Sequence, residues 1–265
     1  MTRKIALLTI MMWVIITYST PTWMDVGTYA LSNGPTGCNP LTSITYTAWK
    51  FYSYAHDYHP GGPAAYHLDS LEDYEVTIST VNGTTSWSKY CDFVWVGCHG
   101  DVRELYLWNA SGNNYEVMTP SQMAFGTSYT RWVYLGGCHV LKYDNYDDFF
   151  VNPESWKDAC KGVQCILGFS SVGYPLDSDQ WEVFWPLWTG GNDGQGPQYG
   201  MWGAYYWAVH DIIYVEDEDD VAPALITSRD WNGHYFWNDT YQQATSTQAV
   251  PWATGTIWAV FGDPQ

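Results

Sequence analysis

"FVWVGCHGD" occupies residues 93–101, and "RWVYLGGCHVL" occupies residues 131–141. Each is an apolar, aromatic run that stops abruptly at glycine, cysteine and histidine. A run with almost no polar residue reads as a strand buried on both faces of a parallel sheet. Outward from these two, further strand patterns fall at Tyr74–Ser79 and Val163–Phe169. Asn152-Pro153-Glu154 supplies an N-cap, a proline at the first helical position and an acid in the first turn, which predicts a helix running to Lys161 and stopping at Gly162. Two more helices are expected over Asp179–Trp188, ending at Gly190-Gly191, and over Gln198–Asp211. Strands alternating with helices predict an α/β fold: a three-layer α/β/α sandwich with a mostly parallel central sheet.

The chain has 265 residues and carries 28 acids against 10 bases, a formal charge of −18. Such a surface repels phosphate backbones, so a nucleic-acid partner is not expected. Thr2-Arg3-Lys4, the apolar run Ile5–Ile16 and the small residues Thr17 and Ser19, at the −3 and −1 positions of a cleavage site, read as a signal peptide, which predicts a secreted or cell-surface protein. That apolar run is shorter than the roughly 20 residues a spanning helix needs, so no stable membrane insertion is expected after cleavage; an uncleaved N-terminal anchor is the alternative. The domain organisation expected is therefore a signal peptide at 1–19, an N-terminal extension at 20–69, and a single α/β domain with C-terminal elaborations at 70–265.

In open parallel sheets, ligands bind outside the carboxyl ends of the strands. Strands that end in Gly-Cys-His-Gly and Gly-Gly-Cys-His deliver reactive side chains to that rim. An imidazole that takes a thiol proton yields a nucleophilic thiolate, and backbone N–H groups at glycine turns suit a tetrahedral oxyanion.

An apolar strand ending in His99-Gly100, followed by a second ending in Gly137-Cys138, resembles the caspase-like cysteine peptidase superfamily, which includes caspases, metacaspases, legumains, gingipains and clostripain. The order of His before Cys and their separation of 39 positions are similar to several of its branches. The resemblance implies a caspase-like fold, His99 as general base, Cys138 as nucleophile, and the backbone N–H groups of Gly100 and Cys138 as oxyanion hole. It also implies a polypeptide substrate; no cofactor is expected unless Ca²⁺. The segment from Trp156 to Ser171 is similar to the helix–strand unit that follows the nucleophile there. Cys98 directly before the histidine and His139 directly after the cysteine depart from that pattern. Asp144, Asp147 and Asp148 follow the nucleophile closely and are candidates to receive a basic substrate side chain; a solvated acidic loop is the alternative.

Other chemistries suit the same residues. Cys98, His99, Cys138 and His139 form a zinc-competent donor set, although neighbouring strand residues point to opposite faces and the chain has no Cys-x-x-Cys. A disulfide Cys98–Cys138 or Cys160–Cys165 would make the region structural. A non-catalytic extracellular module on the same fold, touching glycans through some of its 17 tryptophans and 22 tyrosines, is a further alternative. Trp181, Trp185 and Trp188, at helical spacing, are expected to pack instead. The acidic run 216–220 could bind Ca²⁺ through oxygen ligands, though it lacks the spaced ligand pattern of a dedicated loop.

Overall fold

The computed structural model describes residues 24–58, 68–82, 88–109, 111, 113–125, 130–142, 156, 159–160, 162–171, 179–191, 196–216, 222–228, 234–241, 243 and 258–261. Within them the chain forms β1 (Val26–Ala30), α1 (Ile44–Asp57), β2 (Leu68–Glu72), the single turn α2 (Ile78–Val81), β3 (Phe93–Gly97), β4 (Gly100–Asp101), β5 (Glu104–Asn109), β6 (Asn114–Met118), β7 (Trp132–Leu135), β8 (Cys165–Phe169), α3 (Asp179–Thr189), α4 (Met201–Glu216), β9 (Pro223–Thr227) and β10 (Trp258–Phe261).

Seven strands make the main sheet in the order β10-β9-β8-β7-β3-β1-β2. The five from β2 to β8 are parallel; β9 runs antiparallel to β8, and β10 antiparallel to β9. This is the mostly parallel α/β sheet that the apolar runs predict. Both faces of β3 are buried, as its unbroken apolar sequence requires. Phe93 and Trp95 join Trp132 and Tyr134 in a core shared with α1, α3 and α4. Val94 and Val96 join Val133 and Leu135 in a second core, closed by Leu105 and Leu107 of β5, Val81 of α2, and Trp156.

The helix-side core is aromatic. The ring of Trp181 meets Phe51 edge-on at 4.7 Å and Tyr134 at 4.8 Å, and Trp188 meets Trp132 at 5.0 Å. Trp181, Trp185 and Trp188 are all buried, as their spacing predicts. Edge-to-face pairs of this kind each add about 1 kcal/mol beyond the area they bury. α1 forms because Ile44, Ala48, Phe51 and Ala55 recur every three or four residues and give it one apolar face. α3 ends where Gly190 and Gly191 take φ of +84° and +81°, and both donate to the Pro186 carbonyl.

Three expectations differ from the structure, and one alternative is set aside. Residues 74–79 are not a strand: the extended chain ends at Glu72, Asp73 turns to φ +47°, and Thr77 with Thr80 forms a capping box for α2. Their alternating pattern reflects a loop and helical turn lying on the second core. The 20–69 stretch set apart as an extension supplies β1, which pairs with both β2 and β3, and α1, which covers the sheet. Helix α4 starts three residues later than expected, at Met201, and continues to Glu216. No disulfide joins any of the six cysteines, so neither Cys98–Cys138 nor Cys160–Cys165 is bridged. Most of the helix expected from Asn152, the signal segment 1–19, Asp144, Asp147 and Asp148, and residues 217–220 of the acidic run lie outside the described residues. No helix among the described residues is long and apolar enough to cross a membrane.

Candidate functional site

The chain goes from β1 outward to β2 and then returns to β3 on the other side of β1. A strand order that reverses in this way leaves a crevice at the carboxyl ends of the two strands flanking the reversal. The loop after β1, the His99 turn after β3 and the Cys138 turn after β7 all lie along this rim.

The register of β3 and β7 fixes how His99 and Cys138 relate. Phe93 pairs with Trp132, and Val96 with Leu135. The same offset of 39 positions separates His99 from Cys138, and both lie in the turns that begin just past the last pair, Val96 with Leu135. Adjacent strands lie about 4.8 Å apart. Alternation places Phe93, Trp95, Trp132 and Tyr134 on one face, and assigns Cys98, one residue past β3, to the face of Val94 and Val96. Cys98 is indeed buried in the second core. The two turns touch: a Cβ on Gly100 would lie 3.2 Å from the Cys138 carbonyl oxygen, and one on Gly137 would lie 3.1 Å from Cα of Gly100. Only residues without side chains allow this approach.

His99 is half-buried under the loop 32–41. The Nε2 atom lies 2.8 Å from the Asn39 carbonyl oxygen. The loop also presses Gly34 on the ring, where a Cβ would come within contact of Cδ2, Cγ and Nε2. Burial lowers the His99 pKa below the ordinary histidine value, and the Asn39 bond opposes this in part. Cys138 is half-buried, whereas Cys91, Cys98, Cys160 and Cys165 are buried. Burial pushes the Cys98 thiol well up, and the nearby Cys138 adds to the rise. The remaining member of the zinc set, His139, takes φ +56°; its N–H donates to the Ser171 carbonyl, and its Nδ1 lies 3.5 Å from the Ser170 carbonyl. Among the described residues no group of three or more His, Cys, Asp or Glu side chains is arranged to hold a metal ion.

Sequence reasoning missed the whole β1 side of the rim. Ser32 donates its N–H and its hydroxyl to Asp73 Oδ1, at 3.0 and 2.5 Å, and its carbonyl accepts from Leu41 N–H at 2.6 Å. The signal available was the run "SNGPTGCNP", dense in turn-forming residues, directly after the short apolar stretch that became β1.

A family model for DUF6345, a domain of unknown function, matches residues 43–191. The chain belongs to the DUF6345 family. The matched span holds α1, every strand from β2 to β8, both His99 and Cys138, and α3. No curated protein matches the chain. Among solved structures it is similar to the crystal structure of gingipain R, an Arg-specific cysteine proteinase, at 13% identity and a TM-score of 0.43. That match covers 75% of this chain and 44% of the other, so this DUF6345 protein spans less than half the length of the structure it matches. Similarity at that level assigns no residue roles.

Proposed function

We propose that this DUF6345 protein is an exported cysteine peptidase of caspase-like type, with His99 as general base and Cys138 as nucleophile. The observation that carries the proposal is that His99 and Cys138 lie in two touching turns just past the paired strands β3 and β7, at the sheet's ligand-binding rim.

In this reading the Asn39 carbonyl accepts the Nε2 proton of neutral His99, which leaves Nδ1 as the basic nitrogen. The imidazole takes the Cys138 thiol proton. The thiolate then attacks the carbonyl carbon of a peptide bond, and N–H groups of Gly100 and Cys138 stabilise the oxyanion. On collapse, the C–N bond breaks and the imidazolium gives its proton to the leaving amine. Water, deprotonated by the imidazole, attacks the thioester; the carboxylic acid leaves and the thiol is restored. Asp144, Asp147 and Asp148 are carried in the proposal as acceptors of a basic side chain on the substrate. Export rests on the sequence of residues 1–19.

Iodoacetamide labelling followed by mass mapping tests the dyad. Cys138 in the native protein is expected to react fast at neutral pH, and slowly after His99→Ala. Equal rates in the two proteins would sink the peptidase reading. A fluorogenic peptide library then tests for cleavage after basic residues.

One surface feature favours a second reading, a binding module. Tyr46 and Trp49 on α1 are half exposed and stacked, with ring centroids 5.8 Å apart. A glycan array probed with wild type and with Trp49→Ala tests that reading: binding lost in the variant would support it, and no binding by wild type would exclude it.

A further inference from the structure

We infer that Asp73 is a positioning residue for His99, acting through Ser32 and the loop 32–41. Its consequence for catalysis rests on the dyad proposed above.

Asp73 lies at the carboxyl end of β2, two strands away from His99. Its backbone sits at φ +47°, a region that non-glycine residues enter infrequently and Asp tolerates better than most. Its carboxylate is committed to the neighbouring strand: Oδ1 accepts both the N–H and the hydroxyl of Ser32. Ser32 is the neck of the loop, because its carbonyl also accepts the Leu41 N–H. Loops closed at the neck in this way are compact and hold their own shape.

Inside the loop, two contacts reach the imidazole. Gly34 lies flat against the ring, and the Asn39 carbonyl binds Nε2. Asn39 precedes Pro40, which holds its backbone extended and so fixes where that carbonyl points. The path from Asp73 to His99 is therefore short: a carboxylate, a serine, a closed loop, a ring. The loop is also what shields the ring from water, the main cause of the lowered His99 pKa. The backbone carbonyl of Asp73 binds Val76 N–H, a bond any residue can make. The carboxylate is what ties Ser32 to the end of β2.

The experiment follows the ring carbon resonances of His99 through a pH titration by NMR, with the peak assigned by its loss in His99→Gln. Wild type and Asp73→Asn, which keeps an oxygen acceptor and tolerates the same backbone, are expected to titrate below the ordinary histidine value. Asp73→Ala and Asp73→Gly are expected to titrate higher, toward that value, as the ring regains water. Cys138 alkylation should slow about tenfold or more in both, since small misplacements of a reacting group are costly. The His99 shift arises from burial and from the Asn39 carbonyl, and residue 39 stays the same in every variant, so a change reports the clamp.

Asp73→Gly separates the clamp from the backbone strain, because glycine accepts the same φ without the carboxylate. An unchanged His99 titration in folded Asp73→Gly and Asp73→Ala would overturn the inference. Where Asp73→Ala fails to fold, Ser32→Ala removes one of the two bonds and is expected to give a smaller shift in the same direction; no shift there also overturns it. The NMR readout needs no peptidase activity. A shift in a protein whose Cys138 is unreactive would uphold the clamp and reject the dyad, and reactive Cys138 without a shift would do the reverse.

Discussion

The carbonyl oxygen of Asn39 and Nε2 of His99 lie 2.8 Å apart. A carbonyl can only accept, so the neutral ring carries its proton on Nε2 and keeps Nδ1 as its base. One backbone atom, from the loop after the first strand, thus selects the tautomer of a histidine in the turn after the third.

Because the contact uses the backbone, the side chain of residue 39 is dispensable. Asn39→Ala is expected to change the alkylation rate of Cys138 less than about threefold, whereas His99→Ala lowers it by about a hundredfold or more, the scale of a lost general base. Pro40→Gly, which frees the carbonyl to move, is expected to fall between them. Rate constants at pH 7 for the three variants check the order, and an Asn39→Ala loss as large as that of His99→Ala contradicts the backbone role.

Gly34→Ala places a methyl group where the His99 ring stands. Ring or loop must move. The position is half-buried and belongs to neither core cluster, so the thermal midpoint is expected to shift by no more than a few degrees while Cys138 alkylation slows tenfold or more. Calorimetry and labelling on the same sample check both halves; a normal labelling rate in a folded variant would contradict the contact.

The half of the site built by β3 and β7 was legible in sequence, and the physical reason is burial on both faces. Strands such as Phe93–Gly97 and Trp132–Leu135 must be apolar throughout, so their ends announce themselves where Gly, Cys and His begin. The half built by β1 was not legible. Val26–Ala30 is short and ordinary in composition, and the loop 32–41 beyond it acts through backbone atoms: a carbonyl at Asn39, an absent side chain at Gly34. Residue type carries little trace of such roles. The Tyr74–Ser79 pattern misled for a related reason, since a capped turn resting on a core alternates polar and apolar residues much as a strand does.

The six cysteines divide by environment, and labelling should divide them too. Cys38 is exposed and Cys138 half-buried; Cys91, Cys98, Cys160 and Cys165 are buried, and burial pushes the Cys160 thiol up to about 12. A thiol needs both access and a thiolate to react. Under native conditions iodoacetamide is expected to label Cys38 and Cys138, and the other four only after denaturation. Mass mapping with and without guanidinium checks this; native labelling of Cys98 would mean that the second core opens beneath the site.

At the opposite rim, burial raises the carboxyl of Asp92 to about 6, against the opposing pull of its bond from Asp25 N–H and of Arg131, whose Nε lies 3.5 Å away. The folded state therefore holds this proton more tightly than the unfolded chain does, and ionisation works against folding. The group's contribution to stability is greatest below about pH 4, declines as pH rises to about 6, and is constant above. The full shift corresponds to at most about 3 kcal/mol, and less in practice because a fifth of the side chain meets solvent. Asp92→Asn keeps an oxygen for the Asp25 amide and removes the titration. Relative to that variant, wild type is expected to lose stability as pH rises from 4 to 6 and to run parallel to it above. Urea melts of both proteins across that range measure the difference. If instead wild type gains on the variant as pH rises, Arg131 outweighs burial and Asp92 is held ionised.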